Sequence, residues 1–252
     1  MLWALGYPDA AMQRLDQAMR LARTAGHPLM ILFTTVFVAW VRQLRQEPDQ
    51  VLTLTTDALR LVDQYGFPHL AAWLSGFHGW ALAHRGDEVE GERMVRESIG
   101  LADAIGVSLM RPNFMALLAE TLGLQGRRAD ALAVLGDANR VAERSGEHFY
   151  SSDIHRLTGD LLHKQGAAAA QVDESLRRAL AVAQHQKARS VELRAATSLA
   201  AFLVDQRRPA DARAVLHPIV EWFTEGLDTP DYRSAVGLLK SVNAECRMPN
   251  AE

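Results

Sequence analysis

Cysteine is almost absent from this chain, with Cys246 the only one in 252 residues. A lone cysteine excludes an intramolecular disulfide framework and suits a reducing cytoplasm. It has no Cys–His arrangement beside it, so it reads as a bystander. An excess of either charge is also missing. The 27 basic and 30 acidic residues leave a net charge of −3, which offers no basic footprint for nucleic acid and no polybasic membrane anchor. The longest uncharged apolar stretch, "PLMILFTTVFVAWV" at 28–41, falls short of the about 20 apolar residues that span a bilayer. It also lacks the basic start and cleavage site of a signal peptide.

Motifs that carry chemistry are missing as well. There is no G-x-x-x-x-G-K-[ST] loop to cradle phosphates, no G-x-G-x-x-G after a strand and no G-x-S-x-G nucleophile elbow. His78 and His84 are six apart and His155 and His163 eight apart, so neither pair has the i,i+4 spacing of a zinc helix. Asp160 and His163 share a helix face, but two ligands do not close a site that takes three or four. No catalytic residue, metal or cofactor is expected. An enzyme reading survives only through Asp153, His155, Asp160 and His163.

What the chain does have is a period. Gly26, Gly66, Gly106 and Gly146 are each 40 residues apart, and a second series, Gly6, Gly86, Gly126 and Gly166, sits midway, with Gln46 and Gln206 in its gaps. One phrase recurs with it: "GYPDAAMQRL" at 6–15, "GRRADALAVL" at 126–135 and "QRRPADARAVL" at 206–216. Between the glycines the apolar spacing is helical. In "DALAVLGDANRVAERSG", Ala131, Leu135, Ala138 and Val141 or Ala142 form one stripe. Each unit of 40 residues is therefore two helices with turns at the glycines. Two helices cannot bury both faces alone, so such units stack into a continuous core.

Small residues mark where the helices touch. Ala39, Gly79, Ala119 and Gly159 form one column, continued by Ala200 after a one-residue slip. In the second helices, Ala11, Val51, Gly91, Ala131, Val172 and Ala212 form another, and Ala18, Ala58, Ser98, Ala138 and Ala179 lie seven residues on. Small side chains there let helix axes approach closely.

This small–turn–small–large–small order resembles the tetratricopeptide repeat, here lengthened from its 34-residue norm. The wording of "MRPNFMALLAETLG", "DIHRLTGDLLHKQG", "SVELRAATSLAAFL" and "WFTEGLDTPD" is similar to the C-terminal helical-repeat region of large bacterial signalling proteins. In those, a cyclase or transcription-activator domain and a signalling ATPase module precede the repeats. The resemblance implies an all-α helical-repeat solenoid, wound as a right-handed superhelix. It also implies a regulatory, protein-binding role rather than the ATPase or cyclase activity, whose motifs are absent.

The expected organisation is one helical-repeat domain over 1–252. A first repeat at 1–26 is truncated. Full repeats follow at about 27–66, 67–106, 107–146, 147–187 and 188–226, with a capping helix at about 229–245. Pro218 is expected to kink or interrupt the last second helix. "MLWAL" reads as the tail of a missing first helix, in a truncated gene product or a fragment of a longer parent. The apolar stripe of residues 8–25, which includes Ala11, Leu15, Ala18, Leu21 and Ala22, is then left partly uncovered. Homodimerisation through this end, or docking to an upstream ATPase or cyclase domain, is expected.

In tetratricopeptide arrays the first helices line a concave groove, so the resemblance implies one here, with its stripe placed by helical spacing. One column reads Phe33, Trp73, Asn113, Asp153 and Arg194, and a second reads Trp40, Trp80, Glu120, Asp160 and Ala201. A third holds Val36, Gly76, Ala116, Arg156 and Thr197. The predicted groove is aromatic in the early repeats and polar in the later ones. Aromatic anchors in concave surfaces are frequent binding hot spots, although tryptophan serves equally as core filling, and the charged stripe can equally form weak surface ion pairs. The Lys and Asn positions of a carboxylate clamp are not matched, because Trp, Glu, Gly and Ala stand there. The expected ligand is a protein or peptide, with no nucleic acid and no membrane; the alternative is a small-molecule effector.

Overall fold

The computed structural model describes residues 2–245 and is all-helical over them. Cys246 lies outside the described residues. Twelve α-helices follow one another, with one short 3-10 turn at His148–Tyr150. After α1 (Pro8–Ala25) they form five helix pairs: α2 (Pro28–Leu44) with α3 (Pro48–Tyr65), α4 (Pro68–His84) with α5 (Glu88–Ala104), α6 (Arg111–Leu124) with α7 (Arg128–Ser145), α8 (Ser151–Gln165) with α9 (Ala169–His185), and α10 (Arg189–Asp205) with α11 (Pro209–Trp222). The last helix, α12 (Pro230–Glu245), packs on α10 and α11.

The chain punctuates itself at both helix ends. Pro8, Pro28, Pro48 and Pro68 each open a helix, where proline's fixed φ fits and its missing N–H costs nothing. Gly66 and Gly146 cap α3 and α7 with φ of 72° and 75°. Where the second glycine series breaks, Gln46 takes the left-handed conformation at φ 58°, as its column position requires. At the next break the left-handed residue is Arg207, one place after Gln206, at φ 57°. α11 continues through Pro218 and ends four residues later.

Contacts divide the chain into two compact units, one of Ala10–Tyr150 and one of Met1–Asp9 with Ser151–Glu252. In the first, α4 and α5 pack backbone to backbone: a Cβ added at Gly79 would lie 2.7 Å from the Gly91 carbonyl oxygen. Ala39, Ala119, Ala131 and Ala138 are fully buried in the same roles. In the second, the core joins Val172, Leu176, Leu199, Leu203, Leu216 and Val242, and a Cβ on Gly159 would meet the Leu176 side chain at 2.5 Å. The small-residue columns are the helix contacts.

The opening segment departs from the expected helix tail. Residues 2–6 are a turn, and Trp3 is buried within the second unit, to which it belongs, where Ser190 donates its hydroxyl to the Trp3 carbonyl at 2.6 Å. Along α1, Ala11, Met19 and Ala22 are buried, Leu15 and Ala18 are half-buried, and Leu21 is exposed.

Candidate binding surface

In the unit of Ala10–Tyr150 the first helices α2, α4 and α6 carry the aromatic half of the predicted groove. Phe33 is 42% exposed. The rest of the stripe is not the open surface that helical spacing predicts. Trp40 and Trp73 are buried, and Trp80 and Asn113 are both 0% exposed. The cause is infilling by neighbours. The Trp40 indole N–H donates to the Tyr150 hydroxyl, and Trp40 packs edge-on against Phe149 at 5.6 Å. The Trp80 indole donates to the Glu120 carboxylate at 2.9 Å, and His84 lies against the Trp80 ring with centroids 4.5 Å apart. The His84 Nε2 is 3.8 Å from Glu120, an ion-pair distance too long for a hydrogen bond. In the third column Val36 and Ala116 are buried and Gly76 gives its space to the Phe114 ring.

Trp80 and Glu120 are column-mates one repeat apart, so the sequence columns do bring these residues together. Phe37, Phe149 and Tyr150 belong to the same aromatic row but were not in the columns. Phe37 is one turn after Phe33, with rings 5.1 Å apart, and that i,i+4 spacing would have found it. Tyr150 is 110 residues from Trp40, which no local pattern reports.

Two stripe residues keep polar atoms unmatched. The Trp73 Nε1–H and both side-chain atoms of Asn113 are buried without a hydrogen-bond partner among the described residues. They occupy equivalent positions on α4 and α6, which are in contact. Burying such groups unpaired costs about 1–3 kcal/mol each, so folded proteins seldom do it.

The other unit carries the charged half. On α8, Asp153 accepts from the Arg156 Nε at 2.9 Å, and Arg156 donates onward to Asp160 at 3.0 Å. Ser198 of α10 donates to the same Asp160 oxygen at 3.1 Å. Arg194, also on α10, lies 3.7 Å from Asp153 and donates to Asp231 of α12 at 2.8 Å. Its guanidinium sits 4.9 Å from the centre of the Trp3 ring. Asp153 and Arg194 are buried and Arg156 and Asp160 are half-buried, so these are not the exposed pairs that contribute little. Burial pushes the Asp153 carboxyl up, but Arg156 and Arg194 outweigh it and hold it below the usual range. Burial likewise opposes the charge on Arg194, and Asp231 and Asp153 outweigh it upward. Asp231 and Trp3 were missed by the columns, since they come from segments at the two ends of the chain. Asp160 and His163 do not work together: His163 faces Asp205 at 3.3 Å and the Phe202 ring. Among the described residues no three His, Cys, Asp or Glu side chains are placed to hold a metal, and no helix is long and apolar enough to cross a membrane.

No family model matches the chain. Over 155 residues, 60% of its length, it is 28% identical to an uncharacterized protein of Rhizobium meliloti (strain 1021), of which the match covers 15%. The chain thus spans a small part of that relative. Among solved structures it is similar to a Signal Transduction ATPase with Numerous Domains (STAND) protein with a tetratricopeptide repeat sensor from Pyrococcus horikoshii. That likeness has a TM-score of 0.62 and 12% identity over 92% of this chain and 41% of the other. It is similar also to BtubC (BKLC) from P. vanneervenii, with a TM-score of 0.58 and 14% identity over 97% and 95% of the two chains. Nearly identical TPR-like repeats from Podosopora anserina superpose with a TM-score of 0.52 and 12% identity over 88% and 99%. At these identities the likeness establishes the fold: an all-helical, tetratricopeptide-like repeat region.

Proposed function

We propose that the chain is a non-catalytic, cytoplasmic protein–protein interaction module that regulates a bacterial signalling protein, and that it binds its partner along the first-helix stripe. The fold class supports this reading, since tetratricopeptide-like repeats serve as interaction scaffolds. A neighbour whose repeats are named as the sensor of a signalling ATPase supports the signalling context, and a relative several times longer than the matched stretch fits a longer parent. The partner is a protein or peptide, with an upstream ATPase or cyclase domain of a longer parent as one source and a second copy of the chain as another.

The observation that carries the reading is the unmatched pair on α4 and α6. Trp73 offers one N–H, and Asn113 offers two N–H and a carbonyl, with nothing among the described residues to pair with them. A partner's amide, which both donates and accepts, would complete these bonds on local opening of the stripe, with exposed Phe33 as an aromatic contact in the same column. In the unit of Ala10–Tyr150, Trp40, Trp80 and Glu120 support this position from within; Asp153, Arg156, Asp160 and Arg194 are the charged stripe residues of the other unit.

A second reading, a small-molecule effector site, is favoured by the full burial of Asn113, because enclosed polar groups suit a compact ligand. The two are separated by titrating the chain with a mixed-sequence peptide pool and, in parallel, a pool of polar metabolites, following tryptophan fluorescence. Saturable change with peptides, reduced at least tenfold in affinity by Phe33→Ala or Asn113→Leu, supports the interaction module. Change with metabolites alone supports the effector site, and no response to either defeats both.

A further inference from the structure

We propose that the face made by α10, α11 and the turn before α12 is a peptide-binding site, and that residues 2–9 are its built-in occupant. Its ligand class is a short peptide with an aromatic residue, then three positions on a Gly–aromatic–Pro–acid run. The inference stands apart from the unmatched Trp73–Asn113 pair proposed above, and shares only Arg194 with the charged stripe.

Residues 2–9 are held as a docked peptide is held. Two main-chain carbonyls carry the first contacts: Trp3 accepts from the Ser190 hydroxyl at 2.6 Å and Ala4 accepts from the Ser190 N–H at 3.2 Å. Ser190 is in the first turn of α10, where a backbone N–H has no partner inside its own helix. The segment therefore supplies what the helix end lacks. Side chains then give selectivity. Trp3 is 2% exposed beneath the Arg194 guanidinium. Tyr7 meets Trp222 edge-on at 5.8 Å, and Arg189 covers the same ring at 5.4 Å.

The remaining positions are equally restrictive. Gly6 has φ +96°, and any Cβ there would strike the Trp222 ring. Pro8 fills the space that Gly226 leaves by having no side chain. Asp9 ends the segment with its carboxylate accepting from the Gly226 N–H at 2.8 Å, while its own N–H donates to Glu225 at 3.0 Å.

The segment nevertheless lies on the surface. Residues 2–6 are turn, Pro8 and Asp9 open α1, and Leu2, Leu5 and Tyr7 remain exposed. Beside it opens a cleft of about 580 Å³ lined by Leu5, Tyr7, Lys187, Arg189, Glu192 and Trp222. Main-chain recognition, one enclosed aromatic and an exposed outer edge describe a ligand that can leave and be replaced. Tethering holds it at an effective concentration in the millimolar range, so a free peptide competes only once the tether's advantage is reduced.

Hydrogen exchange at the Ser190 and Gly226 amides reports occupancy directly, since both bond to the segment. In the full chain, Trp3→Ala is expected to speed exchange at both by on the order of 100-fold. Tyr7→Ala, which removes only a half-exposed contact, gives a milder version should Trp3→Ala disturb folding. Adding the acetylated peptide of residues 2–9 at millimolar concentration should then restore protection in either variant, and a scrambled peptide should not. Unchanged exchange in both variants would overturn the proposal. So would lost protection that the peptide fails to restore in a chain of intact helicity.

Discussion

Asn113→Leu is expected to make the protein more stable. The residue is fully buried on α6, and neither its carbonyl nor its amide nitrogen has a partner among the described residues. Leaving such a group unpaired costs about 1–3 kcal/mol, and leucine has the same branched shape without polar atoms. Leucine is somewhat larger, and overpacking a tight site costs at least about 1 kcal/mol. The balance is a gain of up to about 2 kcal/mol, which for a chain of this size raises the melting temperature by up to about 8 °C. Differential scanning calorimetry on wild type, Asn113→Leu and Asn113→Ala measures it, the alanine variant separating loss of the amide from loss of volume. A leucine variant less stable than wild type by more than about 1 kcal/mol would show that the amide is satisfied, and Asn113 would no longer stand as an unmet polar position.

Three further outcomes follow from the packing and the charges. Gly79→Ala should destabilise, because its Cβ meets the Gly91 carbonyl, a backbone atom that cannot turn aside. Gly159→Ala should be near neutral, since Leu176 can shift and alanine gains about 0.5–1 kcal/mol in a helix; equal melting temperatures for both variants would contradict the contact geometry. Trp80→Ala should cost about 3–5 kcal/mol in chemical denaturation, as a fully buried ring with a bonded indole, whereas a loss below about 1 kcal/mol would return Trp80 to the surface. The ionised Asp153 carboxylate, held below its unfolded value of about 3.9, contributes stability above about pH 4 that is lost as pH falls through its lower folded value. Asp153→Asn should weaken the fold and flatten that acid limb, and a limb of unchanged slope would place the charge elsewhere.

The fold was legible because its signals are local and repeated. Gly26 to Gly146 mark turns at a constant interval, and the alanine and glycine columns are the helix contacts. The prolines at 8, 28, 48 and 68 carry the same message at helix starts and would have sharpened the boundaries. The stripe was legible only in part. Columns found Trp80 beside Glu120 and Asp153 beside Arg194, since both are neighbours by repeat position. They could not reveal that the stripe is filled, because Tyr150 reaches Trp40 across 110 residues and burial of a first-helix face depends on such distant pairs. For the same reason the ion network looked like surface pairs until Asp231 and Trp3 joined it. Nothing in "MLWAL" announces a segment bound to helices 187 residues away.

The central claim is that Trp73 and Asn113 are polar positions waiting for a partner's hydrogen-bonding groups. Nuclear magnetic resonance of the Trp73 indole N–H and the Asn113 side-chain amide, during titration with the mixed-sequence peptide pool, tests it most directly. The account predicts saturable shifts of both signals together, with loss of peptide binding in Asn113→Leu. Signals that stay fixed while peptide binds and perturbs other residues would contradict it.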